Sequence, residues 1–127
     1  MIFHDRAHAG VLLAKELAAY RGDPNALILA LPRGGVVVGY ELSTALHLPM
    51  NIFLTRKLRT ANNQDSAIGA VSETGALYVN QDALDACHLS SEDVDELVLG
   101  EEGELKRQKT LYRQGRPLPP LANRTVI

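Results

Sequence analysis

A chain of 127 residues and 13.8 kDa, 46% hydrophobic and 22% charged, can build one compact domain with its own core and is too short for two. Thirteen Lys and Arg against fifteen Asp and Glu give a formal net charge of -2. With two Phe, four Tyr and no Trp, that excludes a general attraction to nucleic acid or anionic membranes and a platform for stacked bases, so any anion site must be local. Cys87 is the only cysteine, no apolar run approaches the roughly 20 residues of a membrane helix, and Asp5 and Arg6 interrupt any signal-like start, all of which predict a soluble protein of the reducing cytoplasm.

The first predicted element is a surface helix over residues 5–20. It places Ala9, Leu13, Leu17 and Tyr20 on one face, with Asp5 as N-cap and Gly22 where a C-terminal cap belongs. After the turn Gly22-Asp23-Pro24-Asn25 come six apolar residues without alternation, Ala26 to Leu31, the pattern of a strand buried on both faces of a parallel sheet. Pro32-Arg33-Gly34-Gly35 ends that strand, and a second helix, Val36 to His47, follows. Pro49 separates it from another apolar strand, Met50 to Thr55, which runs into Arg56-Lys57. Strand, helix and strand make one βαβ unit.

Leu58 to Ser66 carries no core pattern and predicts an exposed, mobile loop. Ala67 to Ser72 and Ala76 to Asn80 are short β-prone runs, and Glu73-Thr74-Gly75 between them predicts a hairpin. The next stretch is helical. Ser90-Ser91-Glu92-Asp93 offers a capping box, and the pattern runs through Leu97, Leu105 and Tyr112 to Gly115, although Gly100 and Gly103 weaken it. Nine acids and no base lie between Asp82 and Glu104, then five bases and no acid between Leu105 and Arg116, an order that suits the helix macrodipole. Pro117, Pro119 and Pro120 end the helix, and Arg124 to Ile127 reads as a strand beginning.

In open parallel sheets ligands bind beyond the carboxyl ends of the strands, so the residues after Leu31 and Thr55 are the candidates for chemistry. Glycines at a strand-to-helix junction leave backbone N–H groups free and, with the helix dipole, favour a phosphate; Arg33 adds a charge-assisted donor. Arg56 and Lys57 would bring two more cations if the two strands are neighbours, a set better suited to pyrophosphate than to one carboxylate. Taken alone, the glycines could merely turn a strand into a helix, and Arg56-Lys57 could be a solvated strand end. His4 and His8 are four apart, but no third ligand lies nearby, so no metal site is predicted. Cys87 is expected to be a buried structural thiol.

These residues resemble the type I phosphoribosyltransferases, in particular predicted bacterial phosphoribosyltransferases with a Pro-Arg-Gly-Gly loop. The likeness runs through Phe3-His4-Asp5-Arg6, Leu31-Pro32-Arg33-Gly34-Gly35-Val36, Arg56-Lys57-Leu58, Ala67-Ile68-Gly69-Ala70-Val71 and Leu111-Tyr112-Arg113. It implies an α/β fold: a Rossmann-like parallel-sheet core with a β-hairpin and a long late helix, in a single domain spanning 1–127. It further implies that Arg33, Gly34 and Gly35 bind the pyrophosphate of phosphoribosyl pyrophosphate, that Arg56 and Lys57 assist, and that the 58–66 loop closes as a lid. Magnesium, a nucleobase-like acceptor and a homo-oligomer are implied as partners.

The family's signature of a strand followed by two acids and a Thr-Gly loop is not found. Leu97 to Glu102 imitates its first half inside a helical pattern, and Thr74-Gly75 imitates its second half inside a hairpin. By comparison with the family, Thr125-Val126-Ile127 would open the strand that carries it. The expectations are therefore a domain incomplete at its C-terminus, an exposed edge on the strand Ala26 to Leu31, self-association or marginal stability, and no phosphoribosyl transfer by this length of chain alone. The alternative is a non-catalytic phosphate- or nucleotide-binding regulatory module. An acidic-basic helix serving only assembly is a further alternative.

Overall fold

A computed structural model describes residues 2–62, 64 and 66–127. The chain forms two compact units, residues 1–53 with 117–127, and residues 54–116. The fold class is α/β.

In the first unit a helix α1 (Arg6–Glu16) and a short 3-10 turn (Ala18–Tyr20) lead to β1 (Ala26–Ala30). Then follow α2 (Gly34–Leu46), β2 (Met50–Ile52) and, from the end of the chain, β6 (Thr125–Val126). The sheet is parallel in the order β2-β1-β6, with Ile28 opposite Met50 and Ala26 opposite Thr125. β1 is central and its apolar run is buried throughout Ala26 to Ile28, as an uninterrupted hydrophobic strand requires. Its edge is not open along its first residues: β6 pairs with Ala26 and Leu27, and Leu29 N–H donates to Ile127 O at 2.8 Å. The expected exposed edge is corrected to that extent.

The apolar face of α1 also differs from the expected one. Leu13 and Tyr20 are exposed, whereas Gly10 and Ala14 are buried. The reason is the closeness of α2. A Cβ at Gly10 would lie 2.7 Å from Glu41 Cβ and 2.8 Å from Val38 O, so the helices meet along a seam of small residues that larger side chains would force apart. Asp5 caps α1 as expected, accepting the His8 N–H at 2.7 Å, but the helix ends at Leu17, and Gly22 serves a later turn at φ +68°. Ala14, Ala26, Ile28, Leu42, Leu46 and Leu48 form the core of this unit.

The second unit is an antiparallel sheet in the order β3 (Thr55–Leu58), β4 (Gly69–Ser72), β5 (Leu77–Val79), followed by α3 (Gln81–Ala86) and α4 (Ser91–Arg113). The predicted strand Met50 to Thr55 is therefore two strands in two sheets. The switch occurs at Leu54, whose N–H donates to Glu73 Oε2 at 2.7 Å while its carbonyl accepts the Glu73 N–H at 2.9 Å. Leu58 is fully buried on β3 and belongs to the core, not to the loop assigned to it. Within that loop Gln64 Nε2 donates to Thr60 O at 2.8 Å, and Asn63 and Asp65 lie outside the described residues.

The hairpin forms as expected between β4 and β5, with Gly75 at φ +86° and Ser72 Oγ 2.8 Å from Thr74 Oγ1. The capping box of α4 is also present, with Ser90 Oγ accepting from Asp93 N and an Asp93 carboxylate oxygen accepting from Ser90 N. Gly100 and Gly103 sit inside the helix without interrupting it. Cys87, expected to be buried, is exposed as the C-cap of α3, because the helix ends there after six residues. Among the described residues no helix is long and apolar enough to cross a membrane.

Candidate anion-binding site

β1 delivers the chain to Leu31, Pro32 and Arg33, and α2 begins at Gly34. The peptide bond between Pro32 and Arg33 is cis. Arg33 occupies the N-cap position in a helical conformation and makes no capping hydrogen bond with its side chain, and the first turn of α2 holds no acidic residue. The helix start thus carries its partial positive charge with neither a capping side chain nor a carboxylate to offset it. At Gly35 the nearest atom to an added Cβ would be Leu31 Cβ at 3.7 Å, so the backbone there is open to close approach.

Gly34 reveals a participant that sequence reasoning missed. A Cβ at this position would lie 2.7 Å from Arg6 Nε and 3.2 Å from Arg6 Nη2, so the Arg6 guanidinium rests directly against the glycine at the head of α2. Two features hold it there. Asp5 fixes Arg6 as the first residue of α1, and the Gly10 contact fixes α1 against α2. Arg6 and Arg33 are both exposed, and neither forms an ion pair with any other described residue. Nothing in the spacing of residues 6 and 34 signals this proximity; it follows from the helix seam.

The Arg6 guanidinium, Gly34, Gly35 and the start of a helix therefore meet in one unit, with Arg33 the residue that precedes them in the chain. Guanidinium groups offer forked donors that match phosphate oxygens, and the backbone N–H groups of a helix's first turn, here Gly34 and Gly35, lack intrahelical partners and favour an anion.

Arg56 and Lys57 are described in the other unit, on β3 and not in a loop after it. Arg56 Nε lies 2.7 Å from Glu101 Oε2, so it is paired with a carboxylate of α4. Lys57, the next residue on the strand, points to the opposite face and is exposed. The two therefore do not form a joint cationic pair. Glu101, half of the acid pair that imitates the family signature, is the partner of Arg56 within a continuous helix. His4 N–H donates to His8 Nδ1 at 3.2 Å, and among the described residues no group of three or more His, Cys, Asp or Glu is placed to hold a metal.

No protein-family model matches the chain. Among curated proteins it is 34% identical over 126 residues to a Mycobacterium tuberculosis protein, found in strains CDC 1551 / Oshkosh and H37Rv. Both carry the name "Putative phosphoribosyl transferase". The match covers 99% of this chain and 28% of each relative, so the chain spans a little over a quarter of their length. Among solved structures, TT1426 from Thermus thermophilus is 36% identical with a TM-score of 0.71, over 93% of this chain and 55% of that one. This solved relative shares the α/β fold.

Proposed function

We propose that this chain supplies the pyrophosphate-binding part of a type I phosphoribosyltransferase, with phosphoribosyl pyrophosphate as the ligand of the Arg33-Gly34-Gly35 turn. The observation that carries the reading is the uncapped start of α2 with the Arg6 guanidinium against Gly34. The names of the M. tuberculosis relatives support it. In the reaction a nitrogen of a nucleobase-like acceptor attacks the anomeric carbon of the sugar, a C–N bond forms, and the C–O bond to pyrophosphate breaks. The electron pair of that bond leaves with the pyrophosphate. Donors placed where this charge develops stabilise the transition state more than the ground state, which is how they accelerate the step. Arg6, Arg33 and the first amides of α2 are those donors here.

Magnesium belongs to this reading as an ion brought with the phosphates. It keeps several waters and is commonly bound through substrate phosphates with one or two carboxylates, and the described residues offer it no cage of their own.

Calorimetric titration with pyrophosphate tests the reading. Loss of a charge-assisted contact costs about 1.5–3 kcal/mol, so Arg33→Ala and Arg6→Ala should each weaken binding about tenfold to a hundredfold. Equal affinities in wild type and both variants would remove the turn from the function. Turnover of phosphoribosyl pyrophosphate with magnesium and a panel of bases then separates transfer from a regulatory module that binds without reacting.

A further inference from the structure

The second unit contains a cleft of about 680 Å³ between α4 and the β4–β5 hairpin, within the range of small-molecule pockets. Val71, Leu77, Val98 and Leu105 give it apolar walls, and Leu77 stays 47% exposed although it faces a concavity. The charged groups that face the cleft are Glu73, Asp95, Glu102, Lys106 and Lys109. Glu73 is taken up by Arg113, and the neighbouring Arg107, which does not line the cleft, is paired with Glu104. Lys106 and Lys109 form no ion pair with any described residue. Both stand on the same wall, three residues apart on α4, with Asp95 near the helix start and Glu102 at its middle. At about 1.5 Å per residue, Glu102 lies about 6 Å from Lys106 and about 10 Å from Lys109 along the axis, and Asp95 lies about 21 Å from Lys109. The charge along the cleft thus runs from acidic at Asp95 to basic at Lys109, the lysine farther from both acids.

We propose that this cleft is a second ligand site, for a small molecule with an apolar body and one anionic group. The apolar walls reward an aromatic or aliphatic body, which pyrophosphate lacks. Lys109, with Lys106 on the same wall, accepts the anionic group at the basic end, and Asp95 and Glu102 disfavour a second. The inference is independent of the anion-binding turn in the first unit.

Titration of the full chain with 8-anilinonaphthalene-1-sulfonate, followed by fluorescence, tests it. Saturable binding at one site is expected. Lys106→Glu with Lys109→Glu, and separately Leu77→Asp on the opposite wall, should each weaken it at least tenfold, while Arg107→Glu should leave it unchanged. Circular dichroism and melting temperature show whether each variant is folded; if the double reversal is not, Leu77→Asp, at an exposed position, decides. Unchanged affinity in folded Leu77→Asp, equally tight binding of a naphthylmethylammonium cation, or displacement of the dye by pyrophosphate would each overturn the proposal.

Discussion

Arg6 and Gly34 illustrate how one residue without a side chain can organise a charge. The guanidinium occupies the space a Cβ would fill, but it is the far end of a flexible side chain and can move aside. Gly34→Ala should therefore lower pyrophosphate affinity by displacing Arg6 while leaving the melting temperature nearly unchanged. Gly10 poses the opposite case. An added Cβ there meets the Val38 carbonyl and Glu41 Cβ, which belong to a packed helix and cannot swing away. Gly10→Ala should destabilise the fold by about 1–3 kcal/mol in urea denaturation, the usual range for overpacking. The two substitutions are chemically identical, and only the neighbour's freedom to move separates their outcomes.

At the scale of elements, α4 is tied to the sheet of the second unit at its middle, through Glu101 and Arg56, and at its C-terminal end. Its last turn buries Arg113, whose Nη1 donates to Glu73 Oε2 at 3.0 Å and whose Nη2 donates to Glu73 Oε1; the same carboxylate holds the Leu54 N–H. Burial also pushes the Arg113 guanidinium below its ordinary pKa. Removing one member of a buried pair strands the other, so Arg113→Ala should cost about 3–5 kcal/mol by urea denaturation. Arg113→Met combined with Glu73→Leu should cost less than the single change, because no charge is left behind. At the start of α4 the Ser90 backbone N–H and hydroxyl hold the Asp93 carboxyl below the usual carboxylate range. A depressed pKa contributes stability that is complete above the ordinary Asp value of about 3.9 and is lost as pH falls through the lowered value. The melting temperature should drop over that acidic interval, and Asp93→Asn should flatten the drop.

The capping box, the hairpin around Gly75 and the buried strand β1 are legible in the sequence because each is encoded within a few adjacent residues. The division at Leu54 is not, since the carboxylate that captures its N–H belongs to Glu73, nineteen positions away. The same reason hides the Arg56 partner, Glu101, at a separation of forty-five. The face of α1 escapes a reading by hydrophobic pattern because its seam is made by Gly10 and Ala14, residues that carry almost no hydrophobic signal, while the larger Leu13 remains exposed. The candidate site divides along the same line. Arg33, Gly34 and Gly35 are contiguous and visible as a turn, whereas Arg6 reaches them only through the packing of α1 on α2.

For the molecule as a whole, the central proposed event is the binding of an anion at the head of α2. The most direct test is an NMR titration of the isotope-labelled chain with pyrophosphate, following the backbone amides. Saturable shifts concentrated at Gly34, Gly35 and Val36, with the Arg6 and Arg33 side-chain N–H signals moving at the same concentrations, are predicted, and Arg33→Ala should shift that titration to higher concentrations. Shifts absent from α2 at saturation, or equally large in wild type and Arg33→Ala, would contradict the account.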